Sequence, residues 1–360
     1  MKENTEYIDI FNNSINSLFK DGLKITLKNP SLAGFFARTL ISQKKAANKR
    51  RSWETKGIHV PPFIIISVTN RCNLNCKGCY TRNLRKPTDA EMSRNKLLSV
   101  IREAEELGVS IIMISGGEPL IRRDILETIK EFPNIIFPLF TNGMLINEET
   151  IKTFKAHKNI VPIISMEGYE EQTDKRRGKG IYENLTQIIK KISGKNIFFG
   201  CSLTIARSNY SVITNKIFVS DLISLGCKLF IYVEYVPIKK GTEGLVLRKD
   251  ERINLLNTLK DYRAGFPGLF IAFPGEEDEL KGCMSSGRGF VHISAEGNVE
   301  PCPFAPYSDA NLNNLPLKEA LQSEFLKKIR ENHEQLSETE GGCALWAKRG
   351  WAASLLKKRL

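Results

Sequence analysis

The 360-residue chain lacks any hydrophobic run long enough to cross a bilayer, because a membrane-spanning helix needs about 20 apolar residues in succession. Its opening segment, MKENTEYIDIFNNS, carries acidic residues and lacks the apolar region of a secretory signal, so we expect a cytoplasmic protein. Internal repeats and low-complexity tracts are also absent. With 41% hydrophobic and 26% charged residues, the composition argues against a disordered chain.

Net positive charge is scarce in the middle of the chain, which is nearly balanced, although the formal net charge of the whole is +13. Residues 1–60 contain eleven Lys/Arg against five Asp/Glu, and residues 344–360 contain five Lys/Arg and no acid. A nucleic-acid enzyme is instead expected to line its working groove with positive charge. We therefore predict no nucleic-acid partner.

The two basic ends, residues 31–51 and 344–360, have two interpretations. Each end is either a basic amphipathic helix lying on the anionic inner face of a membrane, or a helix whose apolar face packs on the protein while its Lys/Arg are solvated. The first interpretation places four aromatic residues in the membrane interface: Phe35, Phe36, Trp346 and Trp351. It would also make a lipid or quinone-like substrate plausible.

Six short apolar runs alternate with amphipathic stretches from about residue 62 onward. The runs are residues 63–68, 111–115, 135–140, 160–165, 197–205 and 229–236. Each run is continuously apolar, as is typical of strands buried on both faces of a parallel sheet. In the stretch between the first two runs, Ser93 is placed to cap a helix and Gly108 to end it. Six strand–helix units predict an α/β fold with a parallel barrel or part of one.

We expect three units along the chain. Residues 1–58 form a basic amphipathic N-terminal helical extension, and residues 59–265 form the core barrel. Residues 266–360 no longer follow the strand–helix rhythm and are predicted to form a small α+β domain.

Three of the eight cysteines lie together in TNRCNLNCKGCY, directly after the first predicted strand. Cys72, Cys76 and Cys79 can hold three corners of an iron–sulfur cluster and leave one iron open to a chelating cofactor. In a reducing compartment, metal or redox chemistry explains such cysteines better than disulfides do. The alternative is a structural zinc site, which needs a fourth ligand that the loop lacks.

Glycine-rich segments follow the next three predicted strands. They are SGGEP (115–119), TNG (141–143) and SMEG (165–168). The active sites of parallel barrels lie at the C-terminal ends of the strands, where these segments and the cysteine loop meet. Any one of the segments alone could be an ordinary turn, but their coincidence at successive strand ends indicates a binding site.

The Cys-x3-Cys-x2-Cys loop and the strand-end motifs resemble the radical S-adenosylmethionine (SAM) superfamily over about residues 60–240. The resemblance implies a partial (β/α)6 TIM-like barrel and a 4Fe–4S cluster that cleaves SAM to a 5′-deoxyadenosyl radical. It also implies an enzyme, of oxidoreductase or maturase type, that abstracts hydrogen from a substrate. A one-electron donor such as ferredoxin or flavodoxin is expected as a partner.

The same resemblance implies a set of cofactor contacts. Besides the three cysteines, it assigns cofactor binding to Tyr80, Ser115, Gly116, Gly117, Glu118, Pro119, Asn142, Ser165 and Glu167. Two positions depart from the family pattern: Gly78 replaces the aromatic residue that often precedes the third cysteine and contacts adenine, and Glu167 replaces an Asp. Arg177 and Gly178 resemble an Arg-Gly pair of related enzymes, or belong to a solvated basic loop.

A second cysteine group lies beyond the barrel. The segment GNVEPC (297–302) is predicted to form a hairpin that returns Cys302 towards Cys283. With Cys343, this arrangement is similar to the SPASM and twitch domains of radical SAM maturases, which implies one auxiliary 4Fe–4S cluster. A structural zinc site or three unrelated thiols are the alternatives. Cys201 and Cys227 are predicted to be core residues, with metal ligation as the alternative.

The substrate stays open at this point. A peptide or protein is the first hypothesis, because it is the commonest substrate of SPASM-type relatives, and a lipid, haem or cofactor precursor is the second. The non-enzymatic alternative is a metal-stabilised binding or electron-transfer protein, which would not bind SAM.

Overall fold

A computed structural model describes residues 2–274, 282–336 and 343–356, and the side chains of residues 2–10 are left aside. Its strands are β1 (Phe63–Ser67), β2 (Ile111–Ser115), β3 (Phe137–Thr141), β4 (Ile160–Met166), β5 (Gly200–Ile205), β6 (Leu229–Glu234), β7 (Leu269–Phe273), β8 (Phe290–Ile293) and β9 (Val299–Glu300). They form one curved sheet in the order β7-β6-β5-β4-β3-β2-β1-β8-β9. All neighbours from β7 to β8 are parallel, and β8 and β9 are antiparallel.

The helices lie before, between and after these strands. They are α1 (Lys2–Thr26), α2 (Pro30–Glu54), α3 (Tyr80–Leu84), α4 (Arg94–Leu107), α5 (Ile125–Ile129), α6 (Glu148–Ala156), α7 (Glu170–Arg177), α8 (Ile181–Ser193), α9 (Tyr210–Ile213), α10 (Lys216–Ser224), α11 (Lys249–Gly265), α12 (Leu317–Ala320), α13 (Glu324–Glu331), α14 (Ala344–Ala347) and α15 (Arg349–Ser354). The expected caps of α4 are confirmed. Ser93 Oγ accepts from Lys96 N at 3.2 Å, and Gly108 ends the helix at φ +96°.

The six strands predicted from the apolar runs are confirmed, and the fold is the expected α/β half-barrel. The sheet also extends into the C-terminal third, which the strand–helix rhythm did not predict. There β7 pairs with β6, while β8 pairs with β1 on the other side. The predicted hairpin before Cys302 is confirmed as β8–β9, with Gly297 at φ +87° in its turn.

The two faces of the sheet bury different side chains. Alternate strand residues such as Ile64, Ile112 and Leu203 pack in one apolar cluster with the flanking helices α4 to α6, α8, α10 and α11. The residues between them, such as Phe63, Ile163 and Leu229, pack in a second cluster with α1 and α2. Side chains alternate between the two faces along a strand. The α1–α2 pair therefore lies on the face opposite the flanking helices, which is the concave face of the half-barrel.

The N-terminal helices therefore form the floor of the half-barrel. Phe36 is 3% exposed and its ring lies 5.1 Å from that of Phe198, while the ring of Phe11 stacks on Phe63 at 5.9 Å. Phe35 is buried beside Phe36. These rings are not available to a membrane, which favours the packing interpretation of the N-terminal end and leaves membrane contact unsupported.

At the C-terminal end, Trp346 and Trp351 are partly buried against a small cluster that contains Cys283, Cys302 and Cys343. The last four residues, which include three of the basic side chains, lie outside the described residues. Within the described parts of the chain, no helix is both long and apolar enough to span a bilayer.

Candidate active site

The cysteine loop and the SGGEP segment form one hydrogen-bonded unit beyond β1 and β2. Gly117 N donates to Thr69 O at 2.8 Å, and Glu118 N donates to Arg71 O at 2.9 Å. The Thr81 hydroxyl, on the helix that follows the third cysteine, donates to Gly116 O at 3.2 Å. The segment predicted to seat SAM is therefore attached directly to the loop predicted to hold the cluster.

Gly116 and Gly117 permit this close approach. A Cβ atom on Gly116 would overlap the carbonyl oxygen of Thr69, and one on Gly117 would overlap that of Arg71. Gly116 also has φ +135°, which residues with a side chain rarely adopt. Any larger residue at either position would push the two segments apart.

Glu118 is fully buried, and its carboxylate joins the ends of β2 and β3. It accepts hydrogen bonds from Leu120 N at 3.1 Å, from the Thr141 hydroxyl at 2.8 Å and from Asn142 N at 2.7 Å. Burial raises the pKa of Glu118, and these donors oppose the rise. Pro119 begins the short turn that the carboxylate caps. The side chain of Glu118 thus orders the ends of β2 and β3.

Asn142, directly after β3, connects the end of this strand to the cysteine loop. Its Nδ2 donates to Asn73 Oδ1 at 2.8 Å and lies 3.8 Å from Cys72 Sγ. The TNG segment therefore contacts the first cysteine of the loop.

A buried ion pair supports the loop from the other side. Arg177 donates to both carboxylate oxygens of Glu167, from Nε at 2.6 Å and from Nη2 at 2.7 Å. Burial alone lowers the pKa of Arg177, but the Glu167 carboxylate outweighs it and the pKa is raised. The charges of Arg177 and Glu167 both act on Cys76, and Lys77 N donates to Arg176 O at 2.8 Å. Arg177 is therefore a buried partner of the cysteine loop and not part of a solvated basic loop.

Ser115 and Ser165 lie at the ends of β2 and β4, on half-buried positions above the apolar floor. Ser115 pairs with Ser67 of β1, and Ser165 pairs with Ser202 of β5. Partly buried apolar side chains line the concave face next to the floor: Ile65, Met113, Phe140, Val233, Ile271 and Phe273. The concave face thus changes from apolar near its floor to polar at the strand ends.

None of the eight cysteines is in a disulfide bond. Cys72 is exposed, while Cys76 and Cys79 are half-buried, and burial raises the pKa of Cys72 and of Cys76. Within the described residues, no group of three or more His, Cys, Asp or Glu side chains is placed to hold a metal ion as it stands. Three thiols on one loop are the donor set that a cluster needs. Its binding would therefore require local movement of these side chains.

The second cysteine group is brought together in the fold. Cys283, Cys302 and Cys343 are all buried in one cluster, and the thiols of Cys302 and Cys343 hydrogen-bond to each other. Burial, followed by the contact with Cys343 and the proximity of Cys283, raises the pKa of Cys302. In contrast, Cys201 and Cys227 lie fully buried in the main core, as predicted.

Two features link the cysteine groups, and neither was predicted from the sequence. The ring of Tyr80 meets that of Phe304 edge-on, with centroids 5.0 Å apart. Beside it, Arg85 pairs with Glu300 through Nη1 at 3.1 Å and Nη2 at 2.5 Å.

Glu300 continues this link to β1. It accepts from His292 Nδ1 at 2.7 Å, and the Ser67 hydroxyl donates to His292 Nε2 at 2.7 Å. Burial lowers the pKa of His292, although the hydrogen bond to Glu300 opposes this. Hydrogen bonds thus run from Arg85 through Glu300 and His292 to Ser67 of β1.

A further residue missed by the sequence patterns is Tyr235, which directly follows β6. Its ring lies against Gly78, the residue directly before the third cysteine. Tyr235 belongs to no sequence motif, and only the fold brings it close to the cysteine loop.

This half-barrel, with a three-cysteine loop after its first strand and glycine segments at the following strand ends, defines a radical SAM enzyme. Residues 66–206, which include the three-cysteine loop and the glycine segments, match the family model of the Radical SAM superfamily.

The relatives that are similar in sequence are named for several different activities. The chain is 26% identical over 330 residues to the AdoMet-dependent heme synthase of Methanosarcina barkeri, covering 82% of this chain and 94% of that protein. It is also 26% identical to the sporulation killing factor maturation protein SkfB of Bacillus subtilis, over 73% of this chain and 63% of SkfB. Among solved structures, Streptococcus suis SuiB bound to precursor peptide SuiA has TM-score 0.64 at 18% identity, covering 81% of this chain and 71% of SuiB. The likeness to SuiB shows the fold alone.

Proposed function

We propose that this radical SAM enzyme modifies a peptide or protein, with Cys72, Cys76 and Cys79 holding the 4Fe–4S cluster. When bound, the cluster supplies the electron that splits SAM into methionine and a 5′-deoxyadenosyl radical, which takes a hydrogen atom from the substrate. The observation that carries the proposal is the hydrogen-bonded unit of cysteine loop and SGGEP segment. We assign SAM binding to this unit, with Tyr80, Asn142, Ser165 and Glu167 around it.

A relative and the concave face both support this substrate class. SkfB is named as a maturation protein and shares 26% identity with this chain. The side chains between the floor and the strand ends, such as Met113, Phe140 and Ile271, are apolar and partly buried. Apolar surface attracts apolar groups, so we expect the reacting part of the substrate to be an apolar side chain.

A haem or cofactor precursor is the second candidate. Of the two relatives, the one named a heme synthase is aligned with this chain over more of its length, 94%. A porphyrin also has a large apolar face that would suit the same surface.

The buried second cysteine group supports an auxiliary 4Fe–4S cluster on Cys283, Cys302 and Cys343. Cys302 lies against Cys343 with Cys283 nearby, and these thiols could supply three of the four ligands that such a cluster takes. Because Tyr80 is near both Cys79 and Cys302 and its ring meets that of Phe304, an auxiliary cluster would lie near the active site.

The first experiment measures 5′-deoxyadenosine after anaerobic reconstitution with iron and sulfide, followed by dithionite and SAM. We expect product from the wild type, none from Cys76→Ala, and wild-type yield from Cys201→Ala, because Cys201 lies in the core. An unchanged yield from Cys76→Ala at equal protein would refute the cluster assignment.

The second experiment compares two probes in the same assay. A pool of synthetic peptides with apolar side chains and an iron porphyrin are added separately, and 5′-deoxyadenosine formation and substrate mass are followed. Faster turnover with a modified peptide supports maturation. Turnover stimulated only by the porphyrin would replace the first candidate with the second.

A further inference from the structure

A cavity of about 290 Å³ lies at the end of the half-barrel opposite the cysteine loop. Its lining comes from the start of α2, from the turn between α6 and β4 and from the turn between α8 and β5. The cysteine loop follows β1 in a parallel sheet, whereas these two turns precede β4 and β5, so the cavity is separate from the candidate active site. Five buried apolar side chains contribute to its wall: Leu32, Phe154, Ile160, Ile197 and Phe198.

Three lysines lie around this apolar wall: Lys155, Lys158 and Lys195. None of the described residues that line the cavity is acidic. Within the described parts of the chain, none of the three ammonium groups makes an ion pair or a hydrogen bond. A cleft that combines charge of one sign with apolar walls concentrates the electric field and attracts ions of the opposite sign. The lining therefore favours an anionic ligand.

The helix dipole offers a simpler explanation for only one of these lysines. Lysines near a helix C-terminus stabilise the helix because they face its partial negative charge. Lys155 lies in the last turn of α6 and fits this role. Lys158 and Lys195 lie beyond the ends of α6 and α8, and neither donates to a helix carbonyl oxygen among the described residues. The helix dipole therefore does not account for the meeting of all three lysines at one cavity.

The turns that carry Lys158 and Lys195 are fixed by hydrogen bonds. Next to Lys158, the buried side chain of Asn159 donates from Nδ2 to Phe132 O at 3.1 Å. In the other turn, Lys195 N donates to Ile192 O at 3.1 Å. Like charges that a fixed backbone holds around one cavity repel each other, and an anion bound between them would relieve this repulsion.

We propose that this cavity binds a small organic anion, a phosphate ester or a carboxylate joined to one aromatic ring. The acidic group accepts charge-assisted hydrogen bonds from Lys158 and Lys195, and the ring lies against the apolar wall. Ligand cavities in proteins begin at about 300 Å³, so this one suits a single ring and excludes a peptide or a porphyrin. Because Leu32 lies on α2 and Phe198 directly precedes β5, the ligand would join the floor helices to the sheet. The proposal is independent of the proposed function.

The test compares phenyl phosphate with inorganic phosphate by isothermal titration calorimetry of the 360-residue protein, reconstituted with iron and sulfide. Both probes carry a phosphate group, and burial of the ring should make phenyl phosphate bind about tenfold more tightly. Lys158→Glu combined with Lys195→Glu should weaken phenyl phosphate binding about tenfold, because two attractive charges become repulsive. Lys158→Arg combined with Lys195→Arg retains both charges and should still bind it.

The matched control is Lys239→Glu combined with Lys240→Glu, because both lysines are exposed and follow β6 at the other end of the sheet. This control changes the net charge by the same amount and should keep wild-type affinity. The thermal midpoint of each variant shows that it is folded, and phenyl phosphate should raise that of the wild type, since it binds the folded protein. Wild-type affinity in the Glu variant of positions 158 and 195, equal affinity for both probes, or an equal loss in the control would each overturn the proposal.

Discussion

At the scale of single residues, the Glu167–Arg177 pair is a buried charged contact beside the cysteine loop. Both side chains are buried, and the pair acts electrostatically on Cys76. Removing one partner of a buried ion pair leaves the other uncompensated, which costs about 3–5 kcal/mol. Because Arg176 Nη1 still lies 3.5 Å from Glu167 Oε1, we expect Arg177→Met to lower the free energy of unfolding by less than this, about 1–3 kcal/mol in urea denaturation, and to lower the iron bound on reconstitution.

Lys175 provides the matched control on the same helix, because its side chain is exposed. Lys175→Met should change the free energy of unfolding by less than about 0.5 kcal/mol and leave iron binding unchanged. Equal stability of the Arg177 and Lys175 variants would mean that the ion pair contributes nothing to the fold.

The same pair illustrates what single residues reveal in a sequence. Arg177 beside Gly178 had two open interpretations, because a basic run looks the same whether it is solvated or buried. Its partner Glu167 stood in the SMEG segment, and the sequence alone did not join them. Tyr235 gave no signal at all, because a lone tyrosine after an apolar run is ordinary in a core. In contrast, the cysteines were evident because three thiols so close together on one loop are typical of an iron–sulfur cluster site.

At the scale of secondary-structure elements, the apolar runs predicted strands well, since a strand buried on both faces must be apolar throughout. The pairing of β8 with β1 was not predictable, because it joins residues 63–66 to residues 290–293 and leaves no periodic pattern. The α1–α2 pair was ambiguous for a different reason. An apolar helix face indicates burial, but not whether lipid or protein covers it.

The packing of the floor helices α1 and α2 leads to a specific prediction about stability. Phe36 is 3% exposed between Phe35, Phe198 and Gly22, where a Cβ atom on Gly22 would meet its ring. Phe36→Ala should therefore lower the free energy of unfolding by about 3–5 kcal/mol in urea denaturation. Ile41→Ala is the control, because Ile41 on the same helix is 60% exposed and its truncation should cost less than about 0.5 kcal/mol. A stable Phe36→Ala protein would contradict the floor packing.

At the scale of the whole molecule, the two cysteine groups are joined by packed and charged contacts. The edge-on pair of Tyr80 and Phe304 lies beside the ion pair of Arg85 and Glu300. Because Arg85 follows the helix after the first group and Glu300 precedes Cys302, these contacts join the two cysteine loops. If both groups bind clusters, the contacts would hold the clusters in a fixed relation to each other.

Iron stoichiometry tests whether both groups bind clusters. With two 4Fe–4S clusters, the reconstituted wild type should contain about eight iron atoms per chain, measured by a colorimetric iron assay. Cys302→Ala and Cys76→Ala should each retain about four, because each removes a ligand of only one cluster. Cys201→Ala should retain about eight, since Cys201 packs in the core beside Cys227. If Cys302→Ala bound as much iron as the wild type, the second group would be a thiol cluster of the core and the enzyme would work with one cluster alone.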